Sequence, residues 1–179
     1  NFFLIFSSLF IIYVPLFKYY IDLNNNKGHT FMTADWLINY NHGYISRGFF
    51  GTFLINFFNN QESMLDFLSL VLIAIYISIF YFTSKIFTQS KQNIVSLILI
   101  FSPATFLFNI YDSQGSFRKE ILGILSLVIL ASSIKEKKSH HIYLSGIIYT
   151  IGIFSHSVNL FFLTTLIFIL FYKIGSKKF

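Results

Sequence analysis

Residues 2–21 read FFLIFSSLFIIYVPLFKYYI, with Lys18 as the one charged side chain. A helix needs about 20 predominantly apolar residues to cross the roughly 30 Å hydrocarbon core of a bilayer, and this run has that length and character. Pro15 predicts a kink in its last third, because proline lacks the N–H that a helix interior requires. A cleaved signal peptide is the competing reading. It is disfavoured because no basic segment precedes the run and no small-x-small cleavage site follows it.

The rest of the chain is of the same kind. It is 55% hydrophobic and 11% charged, with a mean hydropathy of +0.66, whereas a soluble domain is roughly one-quarter charged. Further apolar runs cover residues 65–81, 94–110, 121–134, 142–154 and 158–172. Those at 121–134 and 142–154 are short for a crossing and would need bilayer thinning or partner helices. Residues 49–58 are apolar but too few to cross, and suit an interfacial or re-entrant helix. The expected fold is all-α: a polytopic transmembrane bundle of about six spans, with an interfacial helical segment in the first outer loop. The chain starts at Asn1 inside one apolar run and stops just after another, as a piece of a longer protein would. Residues 1–179 are expected to form one integral membrane domain.

Charge sets the orientation. Six spans with a cytoplasmic start put Lys85, Lys91, Lys135, Lys137, Lys138, Lys173, Lys177 and Lys178 inside, against Glu136 alone. Outside fall Lys18, Lys27, Arg47, Arg118 and Lys119, against Asp22, Asp35, Glu62, Asp66, Asp112 and Glu120. Lysine and arginine concentrate on cytoplasmic loops, so both termini are expected in the cytoplasm. The pI of about 9.5 therefore reports topology. The bases are dispersed at the ends of apolar runs, without the exposed aromatic platform that a nucleic-acid partner would use. With no cysteine, disulfides and thiolate chemistry are excluded. No zinc motif, P-loop, nucleophile elbow or dinucleotide fingerprint occurs. No inner chain of acids or histidines suggests the proton relay of a secondary transporter.

Three polar turns fall on the outer side: ADWLINYNHGYISRGFFG at 34–51, YDSQGSFRKE at 111–120 and SHSVN at 155–159. In the first, Asp35, Asn39, His42 and Ser46 recur at helical spacing, and Trp36, Tyr40 and Tyr44 form a second stripe. A helix lying at the interface would turn the aromatics to the headgroups and the polar stripe to water, unless Gly43 ends it first. Asp35 is then either a merely solvated residue of an amphipathic anchor or a general base or metal ligand assisted by His42. The chain has eleven lysines and two arginines, and Arg47 and Arg118 both lie where orientation calls for no base. Arginine grips phosphate or carboxylate with a planar, bidentate fork, which points to an anionic ligand. Local pairing, of Arg47 with Asp35 or of Arg118 with Asp112 or Glu120, is the alternative. Gly48 would let backbone approach such a ligand, and Tyr44 joins the substrate-binding candidates. Ser116 is a plausible cap for the following helix. His156, in a tight hairpin between apolar runs, is a third catalytic candidate. His29, His140 and His141 read as solvated loop residues.

The arrangement of an apolar first span, an outer loop with a lone Asp followed by GYISRGFFG, and later outer turns GSFRKE and SHS resembles polytopic bacterial envelope-polysaccharide proteins. The nearest types are O-antigen or capsule repeat-unit polymerases and membrane glycosyltransferases of the C-type fold. The resemblance implies an inner-membrane protein using a sugar donor on a polyprenyl phosphate, with catalysis at the outer face. Asp35 matches the first-loop Asp of C-type enzymes, and Arg47 and Arg118 resemble the outer-loop arginines of polymerases. Those proteins usually have more spans, and many C-type members carry a paired acidic motif that is missing here. The expected function is transfer or polymerisation of glycan from the lipid-linked donor, alongside other polysaccharide-assembly membrane proteins. Asp35, His42 and His156 would be catalytic, and no cofactor is called for unless Asp35 holds a divalent metal. The alternative is a non-enzymatic flippase, transporter or assembly subunit handling an anionic glycolipid.

Overall fold

A computed structural model describes residues 1–26, 32–41, 43–45, 47–90, 93–102 and 105–175. Among them all regular structure is helical: α1 (Phe2–Asn25), α2 (Ala34–Leu37), α3 (Phe49–Phe57), α4 (Gln61–Gln89), α5 (Ile94–Ile100), α6 (Phe106–Tyr111), α7 (Ile121–Glu136), α8 (His140–Ser155), a 3₁₀ segment (Ser157–Phe162) and α9 (Leu163–Gly175).

Two of these, α1 and α4, are long and apolar enough to cross a membrane. At 1.5 Å per residue they extend about 36 and about 43 Å. Helix α1 continues through Pro15. Helix α4 starts at Asn60, whose side chain accepts the Glu62 N–H at 3.1 Å, with the Glu62 carboxylate in the positively polarised first turn. The apolar run 94–110 is not one helix. It is divided into α5 and α6 around Pro103, which lies outside the described residues and whose imino nitrogen has no proton to donate. Helices α7 and α8 have 16 residues each, about 24 Å, and the last apolar run begins as 3₁₀ turn before α9. Of the about six spans expected, the described residues show two helices long and apolar enough to cross, and the other apolar runs form shorter or broken helices.

Helices α1 and α4 are antiparallel. The Asn24 amide donates to Ser69 Oγ at 2.6 Å near one end, and the Phe2 and Tyr81 rings meet edge to face at the other. Their seam is aromatic: Tyr13 packs on Tyr76 and Phe80, with ring centroids at 5.0 and 4.8 Å. The turn after α6 plugs this seam with Phe117, fully buried against Tyr20 and Tyr76. Helix α7 packs on α4 and forms an antiparallel hairpin with α8. Small side chains allow close approach there: the Ser126 and Ser145 hydroxyls lie 3.0 Å apart, and each donates to the other's carbonyl. A Cβ at Gly123 would lie 2.4 Å from the Phe162 ring and 2.5 Å from Asn159 Oδ1.

Much of the outer surface is apolar. Phe3, Ile11, Ile94, Ile98, Ile147, Phe168 and Phe171 are all well exposed, an extent of hydrocarbon that marks a surface meant for lipid or partner.

Candidate functional site

The interfacial helix expected over 34–46 is only one turn, α2, because Trp36 is pulled inward. Its ring is fully buried against Phe50, and its indole N–H donates to the Phe117 carbonyl at 2.5 Å. Trp36 is therefore a core anchor, not a headgroup aromatic, and the Asp35–Asn39 stripe does not continue as a helix. From Ile38 the chain is extended and then turns. Asn39 Oδ1 accepts the Asn41 N–H at 3.0 Å, and Gly43 takes φ +123°, a region open to glycine. The segment closes onto α3, where Gly51 sits so tightly that a Cβ would lie 2.1 Å from the Ile38 carbonyl oxygen.

This folding brings the polar turns to one place. Asp35, Arg47, Arg118, Glu120 and His156, with Ala34, Ile38 and Val158, line a cavity of about 430 Å³. Arg47 Nη1 lies 3.9 Å from Asp35 Oδ1, and His156 Nε2 lies 3.9 Å from Glu120 Oε1. Both separations lie beyond hydrogen-bond range, and only the Arg47–Asp35 approach is between two charged groups. Asp35 Oδ2 and Glu120 Oε2 are buried and accept no hydrogen bond among the described residues.

Each side chain has a structural reason for its place. His156 follows α8 and caps the 3₁₀ segment, its Nδ1 accepting the Val158 N–H at 3.2 Å. That assigns the ring proton of the neutral imidazole to Nε2, the nitrogen that faces Glu120. Burial lowers the His156 pKa from its ordinary value, while the Glu120 and Asp35 charges oppose the shift. Asn159, also fully buried, ties the hairpin together by donating to the Gly152 carbonyl at 2.9 Å and the Lys119 carbonyl at 3.4 Å. Arg118 and Glu120 stand at the entry to α7, where N–H groups of residues 121–123 bond back to the carbonyls of 118–120.

Lys119 holds the two halves of the site together. It is completely buried, and its Nζ donates to the Arg47 carbonyl at 2.8 Å, linking residues 72 apart in sequence. Burial lowers its pKa to about 8, assisted by Arg47 and opposed by Asp35 and Glu120. Nothing in the sequence reading assigned it a role.

Other expectations are corrected. Gly48 makes room for Tyr40, since a Cβ there would lie 2.4 Å from its ring. Tyr44 stacks on Tyr40 with ring centroids 5.6 Å apart and is largely exposed, outside the cavity lining. Ser116 does not cap α7. Its hydroxyl donates to the Asn109 and Asp112 carbonyls, and Glu120 occupies the cap position. His141 is buried, not solvated, with its Nδ1 2.9 Å from Ser132 Oγ. His42, the remaining catalytic candidate, lies outside the described residues, as do Lys27, His29, Ser46, Lys91, Lys177 and Lys178. Among the described residues no three acidic or histidine side chains converge as a metal would require.

Formally the cavity carries Arg47, Arg118 and the adjoining Lys119 against Asp35 and Glu120, an excess of positive charge with neutral His156 beside it. Such a site can hold an anion with the guanidinium groups and accept a proton on a carboxylate. Compared with known protein families, with curated proteins and with solved structures, the chain matches none.

Proposed function

We propose that the chain crosses a bacterial inner membrane about six times, with both termini cytoplasmic, and that the cavity receives a polyprenyl-phosphate-linked sugar at the outer face for transfer or polymerisation. The observation that carries this reading is the convergence of Arg47, Arg118, Asp35, Glu120 and His156 on one cavity. Two helices of crossing length and an apolar exterior support the membrane setting. The shorter α7 and α8 would cross with local bilayer thinning. Helices α5 and α6 would form one broken crossing, tolerated where neighbouring helices cover the freed backbone. Lys85 and Lys138, paired with Glu136 at 2.8 and 2.9 Å, then fall at the cytoplasmic end.

In this role Arg47 and Arg118 grip the phosphate and stabilise the charge that grows on it as the bond from the sugar's anomeric carbon to the phosphate oxygen breaks. The acceptor hydroxyl oxygen bonds to that carbon, and its proton passes to a carboxylate, Asp35 or Glu120. His156, neutral and donating from Nε2, orients the reacting groups. Lysine cannot reproduce a bidentate grip, so Arg47→Lys and Arg118→Lys should each abolish long-chain surface polysaccharide while protein levels in the membrane stay unchanged. Normal chain-length ladders in both variants would refute the assignment. A flippase using the same arginines would instead leave single lipid-linked units stranded inside the cell.

A further inference from the structure

A second cavity, of about 210 Å³, lies on the other side of the 115–120 turn, and Arg118 and Glu120 line both. We propose that this second cavity binds the sugar ring of the acceptor, and that Glu120, at the shared wall, is the carboxylate that takes the acceptor's proton. The inference rests on the phosphate reading of the first cavity.

Its lining suits a pyranose. Phe106 and Phe108 contribute aromatic rings to the lining, while Asn109 and Asp112 contribute hydrogen-bonding groups. A sugar presents the same combination, an apolar C–H face and a rim of hydroxyls, and pockets for small polar ligands generally join apolar walls to a few placed polar groups. The polar groups are held in position. Asn109 donates to the Tyr13 hydroxyl at 2.9 Å. Asp112 Oδ1 accepts the Gly115 N–H at 3.0 Å, and a Cβ at Gly115 would strike the same carboxylate at 2.3 Å. The space holds about one ring, whereas the larger first cavity has room for a phosphate and the sugar attached to it.

The choice of Glu120 over Asp35 follows from position. Asp35 lines the first cavity alone and faces Arg47, so it orients the guanidinium. Glu120 borders both spaces, with Oε1 toward His156. As a residue common to both linings, Glu120 is the carboxylate that an acceptor in the second cavity and a donor in the first would share. The acceptor hydroxyl's proton goes to Glu120, its oxygen bonds to the donor's anomeric carbon, and the departing phosphate keeps the electron pair.

The full chain in lipid nanodiscs tests this with two separate probes. Undecaprenyl phosphate probes the first cavity, and its binding should weaken on Arg47→Lys; unchanged binding there would overturn the phosphate reading. Methyl pyranosides of glucose, galactose, mannose, N-acetylglucosamine and N-acetylgalactosamine probe the second, followed by saturation-transfer NMR with glycerol as control. At least one pyranoside should bind, about tenfold more weakly in Phe108→Ala and Asp112→Asn, the fold-change for losing one good contact, and equally well in Arg47→Lys. Binding of none, binding that both second-cavity variants leave untouched, or glycerol competing equally would overturn the subsite. Glu120→Gln should retain both ligands yet stop chain elongation in cells; normal elongation would exclude it as the base.

Discussion

Lys119 is the residue whose environment departs furthest from its chemistry. A lysine ammonium is strongly hydrated, yet here it is fully enclosed and compensated by one backbone carbonyl and by the charges of Asp35 and Glu120. The folded protein releases its proton near pH 8, whereas an ordinary lysine holds it to about 10.5. Between those values the unfolded chain binds the extra proton, so stability rises with pH across that window, and the cost of the buried charge is complete below it. Wild type should therefore gain thermal stability relative to Lys119→Met between pH 8 and pH 10, as read by melting in detergent or nanodiscs. Parallel pH profiles for the two proteins would show that the ammonium is not buried as described.

Among the elements, the junction of the 34–48 segment with α3 decides whether the cavity exists. Gly51 lets the backbone of α3 touch the Leu37 and Ile38 peptides, and Thr52 Oγ1 accepts the Tyr40 N–H at 3.0 Å while donating to the Gly48 carbonyl at 2.8 Å. Gly51→Ala would place a methyl group against a carbonyl oxygen and a carbonyl carbon, neither of which can rotate aside. We expect a loss of about 1–3 kcal/mol, the usual range for overpacking, with earlier proteolytic cleavage between Trp36 and Arg47. Unchanged melting and cleavage would mean that the junction has slack. The α7–α8 hairpin has a different cement: reciprocal serine hydroxyl bonds and the Asn159 amide, polar contacts inside an otherwise apolar interface. Serines of this kind look unremarkable in the sequence, because their value depends on which face of each helix meets the other.

For the whole molecule, the arrangement of polar groups at two opposite ends carries the topological reading. One end holds Asp35, Arg47, Arg118, Glu120 and His156, and the other holds Lys85, Glu136 and Lys138. The chain has no cysteine, so single cysteines can report each side directly. The proposed six-crossing topology puts three crossings between Tyr44 and Ser139, so Tyr44→Cys should react with an impermeant maleimide in intact cells and Ser139→Cys only after lysis. Both positions reacting from the same side would rule out the six-crossing topology. Both residues are exposed, so accessibility rests on the membrane and not on burial within the fold.

The amino-acid sequence alone was enough to expect the helical structure of the described residues, because long apolar runs with few charges are of the kind that form helices where backbone must be satisfied internally. It also singled out Asp35, Arg47, Arg118 and His156, since isolated polar groups and two arginines stand out against that background. The inward turn of Trp36, the burial of Lys119 and His141, and the place of Glu120 in the linings of two cavities were settled only by tertiary structure. Each depends on contacts between residues far apart in the chain, such as Trp36 with Phe117 or Lys119 with Arg47. Local periodicity reports which face of a helix is apolar, but not which distant carbonyl lies opposite a given donor.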